Sequence, residues 1–309
     1  MEYEQYHVPV MLNEAIEALA IKPDGVYVDV TLGGGGHSRA ILQHLNAAGR
    51  LFSFDQDADA IAHAEQSAHD DTTQASQWTL VRSNFRYLKN WMRYYEIKAI
   101  DGLLADLGVS SHHFDQSERG FSFRFDAPLD MRMNQQARRT AAHVVNTYSE
   151  QQLTDIFRLY GELKQAHRLA KAIVRQRQSS ELATTGELAQ LASPILGPDR
   201  ERKDLAKVFQ ALRIEVNAEM EALQQMLTQA TELLRPGGRL VVMSYHSLED
   251  RIVKHHIRAA AADDQPTQDI YGHATTPLRA VGKPVQPSEQ EQQDNPRSRS
   301  ARLRVAEKA

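Results

Sequence analysis

The 309-residue chain contains no cysteine. That excludes a disulfide framework, a thiolate metal site and a cysteine nucleophile. It also lacks any run of about 18 apolar residues, so no membrane-crossing helix is expected. Its first residues, MEYEQYHVPVMLNEAIEAL, carry acids where a secretion leader would carry bases. An excess of positive charge is missing too. The formal net charge is −4, which argues against bulk electrostatic attachment to nucleic acid and leaves only local basic faces for that purpose. The pairs His112-His113 and His255-His256 are adjacent rather than spaced by a helical turn, so no metal site is expected. What remains points to a cytoplasmic protein with no membrane contact. Hydrophobic residues make up 41% of it, enough for a large core.

The apolar pattern comes in two kinds. Val26 to Val30, Arg50 to Phe54, Trp78 to Val81 and Ala99 to Ala105 read as strands. Helical spacing over residues 11–20, 38–45, 58–68 and 86–95 separates them. Strands alternating with helices imply a parallel sheet covered on both faces. From about 112 to 205 only helical segments follow: 141–146, 150–160, 163–177 and 185–191. The α/β pattern then resumes with a helical stretch over 206–234, a stop at Arg235-Pro236-Gly237-Gly238, and a strand over 239–244. The expected organisation is therefore a core of 1–111 and 206–309 interrupted by a helical subdomain, 112–205. Residues 263–300, rich in Gln, Pro, Asp and Ser, read as a long loop. Ser300 to Val305 reads as a last, edge strand.

Four glycines, Gly33 to Gly36, stand where the first strand turns into a helix. Glycine admits positive φ and close approach of a ligand, so this junction suits a bound nucleotide or anion. A phosphate-binding P-loop would continue with Gly-Lys-Ser/Thr, whereas Gly36 is followed by His37-Ser38. A dinucleotide fingerprint fits Gly33 and Gly35 but finds Ser38 in its third position. An adenosylmethionine loop asks only for the glycines and an acid at the end of the next strand. Asp55 is that acid, and it suits the ribose hydroxyls of either nucleotide class. Phe85, in Ser83-Asn84-Phe85, offers an adenine a ring to stack on. Asp106 ends the fourth strand. In open α/β sheets ligands collect at these carboxyl ends, so Asp29, Asp55, Asn84 and Asp106 are expected to face one cleft.

The blocks GGGGHS (33–38), DLGVSS (106–111), ERGFSF (118–123), PLDMRM (128–133), FQALRIEVN (209–217), PGGRL (236–240), SYHSLEDRIVK (244–254) and NPRSRSARLRVAEK (295–308) resemble the RsmH (MraW) family. They run in order over nearly the whole chain. The resemblance implies a Rossmann-like class I methyltransferase core with a helical insertion. It implies methyl transfer from S-adenosylmethionine to the exocyclic N4 of a cytidine in 16S rRNA. It implies a cofactor site of Gly35, Gly36, His37, Asp55, Phe85 and Asp106. His113 stands where the family carries a further ligand, a glutamine, and Leu163 where it often carries a glutamate.

The N4 amine has its lone pair delocalised into the ring, so an acceptor on N4–H is needed. Asp106 is the leading candidate, with Ser110 supporting it. Asp106 serving the cofactor instead is the other reading. A reactive cytidine must also be splayed out and stacked. Phe121, Phe123 and Phe125 alternate beside Arg119, Arg124 and Arg132, an aromatic and basic grouping that suits RNA. Tyr245 and His246 could line the acceptor side. Lys164, Arg168, Lys171 and Arg175 share one side of a helix and offer RNA a local basic face. The expected partner is 16S rRNA, with the modest net charge favouring an assembled small subunit over naked RNA, and with a homodimer left open. Two other classes compete: a non-catalytic adenosylmethionine-binding ribosome assembly factor, and a nicotinamide-dependent oxidoreductase, against which the missing third glycine counts.

Overall fold

The computed structural model describes residues 9–69, 76–108, 117–197, 201–261 and 277–309. The chain divides into two compact units, residues 1–108 with 220–309, and residues 109–219.

The first unit is built on a seven-stranded sheet: β1 (Val26–Asp29), β2 (Arg50–Asp55), β3 (Trp78–Arg82), β4 (Ile100–Asp106), β5 (Leu234–Ser244), β6 (Leu278–Ala280) and β7 (Arg302–Lys308). The spatial order is β3-β2-β1-β4-β5-β7-β6. β1 to β5 are parallel, and β7 runs antiparallel between β5 and β6. The connections are α1 (Leu12–Leu19) before the sheet, α2 (Gly36–Gln43), α3 (Ala58–His69) and α4 (Leu88–Tyr94). This is the Rossmann-like, class I methyltransferase arrangement that the sequence led us to expect. Strand order reverses between β1 and β4, so the ligand crevice of such a sheet opens at the carboxyl ends of these two strands.

Alternation along the strands explains why the sheet is sandwiched. Val28, Phe52, Phe54, Leu103, Ala105, Leu240 and Val242 pack into one buried cluster. Tyr27, Leu51, Leu104, Val241 and Met243 belong to another, with Leu19, Ile41 and Leu42 of the helices. Successive side chains of a strand point to opposite faces, and here both faces are apolar, as a parallel sheet requires.

Three expectations about this unit are corrected. The last strand is not at the edge: β7 lies inside the sheet, because Leu278–Ala280 pairs with it as β6 and takes the edge position. The stretch taken for a loop over 263–300 holds, among its described residues, β6, a helix over Glu289–Asp294 capped by Ser288, and a 3-10 turn over Pro296–Ser300. The Pro-Gly-Gly stop sits inside β5 as an irregularity: Ile100 pairs with Leu234 and Gly102 with Arg239, so extra residues bulge from one side of the ladder.

The second unit is helical: α5 (Ala141–Thr147), α6 (Glu150–Leu159), α7 (Ala166–Gln176), α8 (Thr185–Leu196) and α9 (Glu201–Asn217). Capping boxes start α6, where Ser149 and Gln152 bond reciprocally, and α8, where Thr184 and Glu187 do the same. Its own core gathers Val144, Leu153, Phe157, Leu169, Ile173, Leu188, Val208 and Leu212. The unit ends at Glu219 rather than at 205. The helical stretch read over 206–234 is in fact two helices, α9 and α10 (Glu219–Leu233), broken at Ala218 with φ 48°. Leu205, Val208, Phe209 and Leu212 commit the first of them to the helical core.

Candidate active site

The glycine loop divides its labour among its residues. Gly33 has φ 48° and Gly35 φ 75°, backbone that L side chains rarely adopt. Gly35 is the N-cap of α2, and a Cβ there would meet only the Arg39 guanidinium, at 3.0 Å from Nη1. Gly36 needs space rather than conformation: a Cβ there would overlap the Pro9 ring. Arg39 reaches back to donate to the Gly34 carbonyl at 2.6 Å. The Gly33 amide donates to Asp55 Oδ2 at 3.0 Å. The loop is thus clamped from two sides and leaves its backbone bare of side chains.

Asp29 does not face the cleft. It is fully buried. Its carboxylate accepts from the Thr31 amide at 3.0 Å and from Ser38 Oγ at 2.6 Å. Ser38 continues to Ser53 at 2.7 Å, and Trp78 Nε1 donates to Ser53 at 2.8 Å. A buried carboxylate without donors would cost several kcal/mol, and this network supplies them. Asp29 is therefore a strut beneath the loop. Thr31 extends it, because its hydroxyl accepts from the Asp106 amide at 2.7 Å.

Asp106 gathers polar side chains from three elements at the end of β4. Its side chain keeps 22% of its exposure. Tyr245 donates its phenol hydrogen to Asp106 Oδ1 at 2.6 Å. His37 Nδ1 lies 3.8 Å from Oδ2. His37 Nε2 is 3.1 Å from the Val10 carbonyl. A carbonyl only accepts, so Nε2 carries a hydrogen and Nδ1 is the nitrogen turned to the carboxyl group. Burial pushes the Asp106 carboxyl up to about 6, against the stabilising charge of His37 and the Tyr245 hydrogen bond, while Asp29 and Glu249 raise it further. Burial also pushes the Tyr245 phenol upward, with Asp106 adding to it, so it stays a donor. A carboxylate with one oxygen held by a phenol and the other beside an imidazole can accept a proton or bind a cation near neutral pH.

Asp55 and Phe85 flank the same strand ends. Asp55 Oδ1 accepts from the Asp57 amide at 2.9 Å while Oδ2 holds Gly33. A carboxylate can accept several hydrogen bonds at once, as a pair of ribose hydroxyls would need. Asn84 bonds Gln56 at 2.9 Å and caps the 3-10 turn that carries Phe85. Phe85 is half-buried against the sheet core. These residues, with the bare glycine backbone, fit an adenosine carrying a charged amino-acid arm.

Tyr245 and His246 follow β5 into the helix α11 (Ser247–Ala261). Glu249, buried, accepts from the Tyr245 and His246 amides at 2.9 and 3.3 Å, and its Oε1 is 3.2 Å from His246 Nε2. His246 is thereby engaged with the helix start, and Tyr245 with Asp106. Ser110 and His113 lie outside the described residues.

The phenylalanine and arginine grouping of the second unit is corrected. Phe121 is only 5% exposed, in the helical core, with the Arg119 guanidinium 5.8 Å over its ring. Phe123 packs edge-on against Phe209, centroids 5.4 Å apart. Arg132 is fully employed: it holds both oxygens of Asp130 at 2.8 and 2.6 Å and the Gln135 and Ala137 carbonyls. Phe125 alone of the three rings is well exposed. Alternation reads the same for a stacking surface and for a core edge, and here the core takes the rings. Asn217, at the end of α9, accepts from the Met133 amide and donates to the Met131 carbonyl, at 2.8 and 2.9 Å. The blocks 128–133 and 209–217 are thus two halves of one clamp. Leu163, where a glutamate was a common alternative, is buried in this core.

Sequence reasoning missed Thr31 and Glu249, and gave Tyr245 to the substrate rather than to Asp106. Glu249 had a signal, an acid in the first turn after Tyr245-His246-Ser247.

Residues 4–309 match the model of the MraW methylase family. The ribosomal RNA small subunit methyltransferase H of Bacteroides fragilis strain YCH46 is 58% identical over 308 residues, 99% of either chain. That of Bacteroides thetaiotaomicron is 56% identical over 304 residues, 98% of this chain and 97% of its own. That of Christiangramia forsetii is 49% identical over 304 residues, 98% of either chain. A match over nearly every residue, on a sheet of this order with an acid at the end of β4, leaves one conclusion: the chain belongs to the MraW methylase family.

Proposed function

We propose that this protein transfers a methyl group from S-adenosylmethionine to the exocyclic N4 of a cytidine in the 16S rRNA of the small ribosomal subunit, in the cytoplasm. The observation that carries the reading is the Asp106 carboxylate, held by Tyr245 and facing His37 at the strand end beside the bare glycine loop. The names of the 49–58% identical relatives, small subunit rRNA methyltransferases, support the substrate class.

Gly33 to Gly36 and His37 would hold the cofactor's amino-acid arm, Asp55 its ribose and Phe85 its adenine. The cofactor supplies a methyl group already activated on a sulfonium. The protein's contribution is position, exclusion of water and treatment of the acceptor. N4 attacks the methyl carbon as the carbon–sulfur bond breaks, the electron pair leaving with sulfur, and N4 must then shed one hydrogen as a proton. Asp106 Oδ2 is the oxygen not bonded by Tyr245, and it accepts the hydrogen bond from N4–H. Its elevated proton affinity suits it to share that hydrogen as N4 becomes cationic. Ser110 and His113 remain proposed helpers on the loop that follows. The exposed stripe Lys164, Arg168, Lys171 and Arg175, with no acid paired to it among the described residues, fits the second unit as the rRNA-docking part.

Asp106→Asn tests the reading. An asparagine keeps the shape and can still meet Tyr245, but it cannot take up a proton. Calorimetric affinity for S-adenosylhomocysteine should stay within about 10-fold of wild type, while single-turnover methyl transfer falls by at least ~100-fold. Unchanged turnover would remove Asp106 from the chemistry. A non-catalytic assembly factor would show no turnover even in the wild type.

A further inference from the structure

Helix α4 and its flanking residues carry a group of aromatic rings, of which Trp91 and Tyr95 pack against the sheet core while Tyr87 and Tyr94 stand exposed. Tyr87, Trp91 and Tyr94 recur at spacings of four and three, so they share one face. Tyr94 is 71% exposed and Tyr87 50% exposed, high values for rings of this size. They are not loose. Tyr94 stands edge-on to both Trp91 and Tyr95, centroids 5.6 and 5.0 Å away. Trp91 stacks on Tyr95 at 6.1 Å, and Tyr95 leans on the fully buried Phe52 at 5.2 Å. The series of rings runs from the sheet core to the solvent. The Arg50 guanidinium sits 5.0 Å over Phe52 at its inner end. Arg93 is next to Tyr94 on the helix, and Lys98 follows shortly after. Arg50, Arg93 and Lys98 are all exposed and make no ion pair among the described residues.

We propose that this face of α4 is a second RNA platform, on which an unpaired base of the substrate stacks against Tyr94 while Arg93, Lys98 and Arg50 meet its phosphates. Rings already packed against one another lose little freedom on binding a flat base, and stacking is tolerant of sequence. Charge selects the occupant. A second copy of this chain meeting the face through a two-fold axis would set a patch of three unpaired cations and one exposed acid, Glu96, against the same patch, whereas a phosphodiester chain complements its net positive charge. The platform rests on the rRNA reading above and extends it from the second unit to the methyltransferase unit itself.

The test uses the full-length protein and an unstructured 12-nucleotide RNA, with Trp91 fluorescence and filter retention as readouts. Tyr94 and Arg93 are outside the catalytic machinery, so S-adenosylhomocysteine affinity serves as the control for folding. Tyr94→Ala should weaken RNA binding by about 10-fold, Arg93→Glu should weaken it and flatten its salt dependence, and Tyr94→Phe should restore the affinity. With the assembled small subunit, KM for the particle should rise while kcat stays within about 2-fold. If the wild type binds RNA and Tyr94→Ala binds it equally, the platform is overturned and the rRNA reading stands. If the wild type does not bind the 12-mer and Tyr94→Ala leaves KM for the assembled subunit unchanged, the platform is overturned and the rRNA reading stands; absence of methyl transfer to any rRNA by the wild type would overturn both. If Tyr94→Ala instead converts a dimer to a monomer by light scattering, the face is a self-association surface and the proposal is overturned.

Discussion

At the scale of single residues, the proposed chemistry rests on one carboxyl group. Burial favours the protonated form of Asp106, and the Tyr245 phenol favours the ionised form. With its value pushed to about 6, the group is roughly nine-tenths ionised at pH 7. If the ionised form is the one that works, kcat/KM for the cofactor should fall as pH drops through about 6, since that ratio reports the free enzyme. Tyr245→Phe deletes the hydrogen bond that stabilises the carboxylate. The acid limb should therefore move to higher pH, and a limb that stays put or moves down would separate Tyr245 from Asp106. Stability carries the opposite sign. A folded-state value raised above the unfolded one gives stability that is complete below about 4 and lost as pH rises through about 6. Asp106→Asn should thus melt at a higher temperature than wild type at pH 8, by roughly 2–4 °C, even as it loses activity. None of this coupling was legible in sequence. Asp106 could be read as a strand-end acid, but its phenol partner is 139 residues away, and only the sheet, by placing β5 beside β4, brings them together.

At the scale of elements, the loop between β1 and α2 shows what could and could not be read. A glycine run at a strand-to-helix junction was visible as a candidate ligand site. That Gly35 needs positive φ while Gly36 needs room for Pro9 was not, because the second requirement comes from the N-terminal segment folding over the loop. A left-handed conformation costs an ordinary residue about 1–2 kcal/mol. Gly35→Ala should lose about that much stability, measured by urea denaturation, with weaker S-adenosylmethionine binding; Gly35→Asn should lose less. Equal stability of Gly35→Ala and wild type would mean the loop is not held as described. The strands β1 to β4 were readable within a residue or two, since both faces of a buried parallel strand are apolar. β7 was readable as a strand but not as an interior one, because its outer neighbour β6 is three residues long and carries no periodic signal. The break between α9 and α10 falls at Ala218, which bears neither glycine nor proline to announce it.

At the scale of the whole molecule, net charge and local charge point in different directions. The chain is negative overall, yet α7 turns Leu169, Ala170 and Ile173 inward and leaves Arg168, Lys171 and Arg175 outward. Arg168, Lys171 and Arg175 were legible as a stripe from spacing alone, and their burial pattern agrees, whereas Lys164 lies in the turn before α7 rather than on the helix. The aromatic and arginine grouping around Phe121 was equally conspicuous and misled, because sequence shows which residues are apolar but not which apolar surface finds a partner. If α7 docks on rRNA, replacing Lys164, Arg168, Lys171 and Arg175 by alanine should reduce the slope of log K against log salt by about 3, with little change in cofactor affinity. An unchanged slope would assign the stripe to solvation alone.

The central claim is the reaction itself. Small subunits from a strain lacking this modification, and separately their naked 16S RNA, would be incubated with S-adenosylmethionine labelled in its methyl group. Digestion and mass analysis of the nucleosides then identify the product. The account predicts label in N4-methylcytidine, with assembled subunits the better substrate. Label on a ring carbon, on a ribose oxygen or on another base would contradict it.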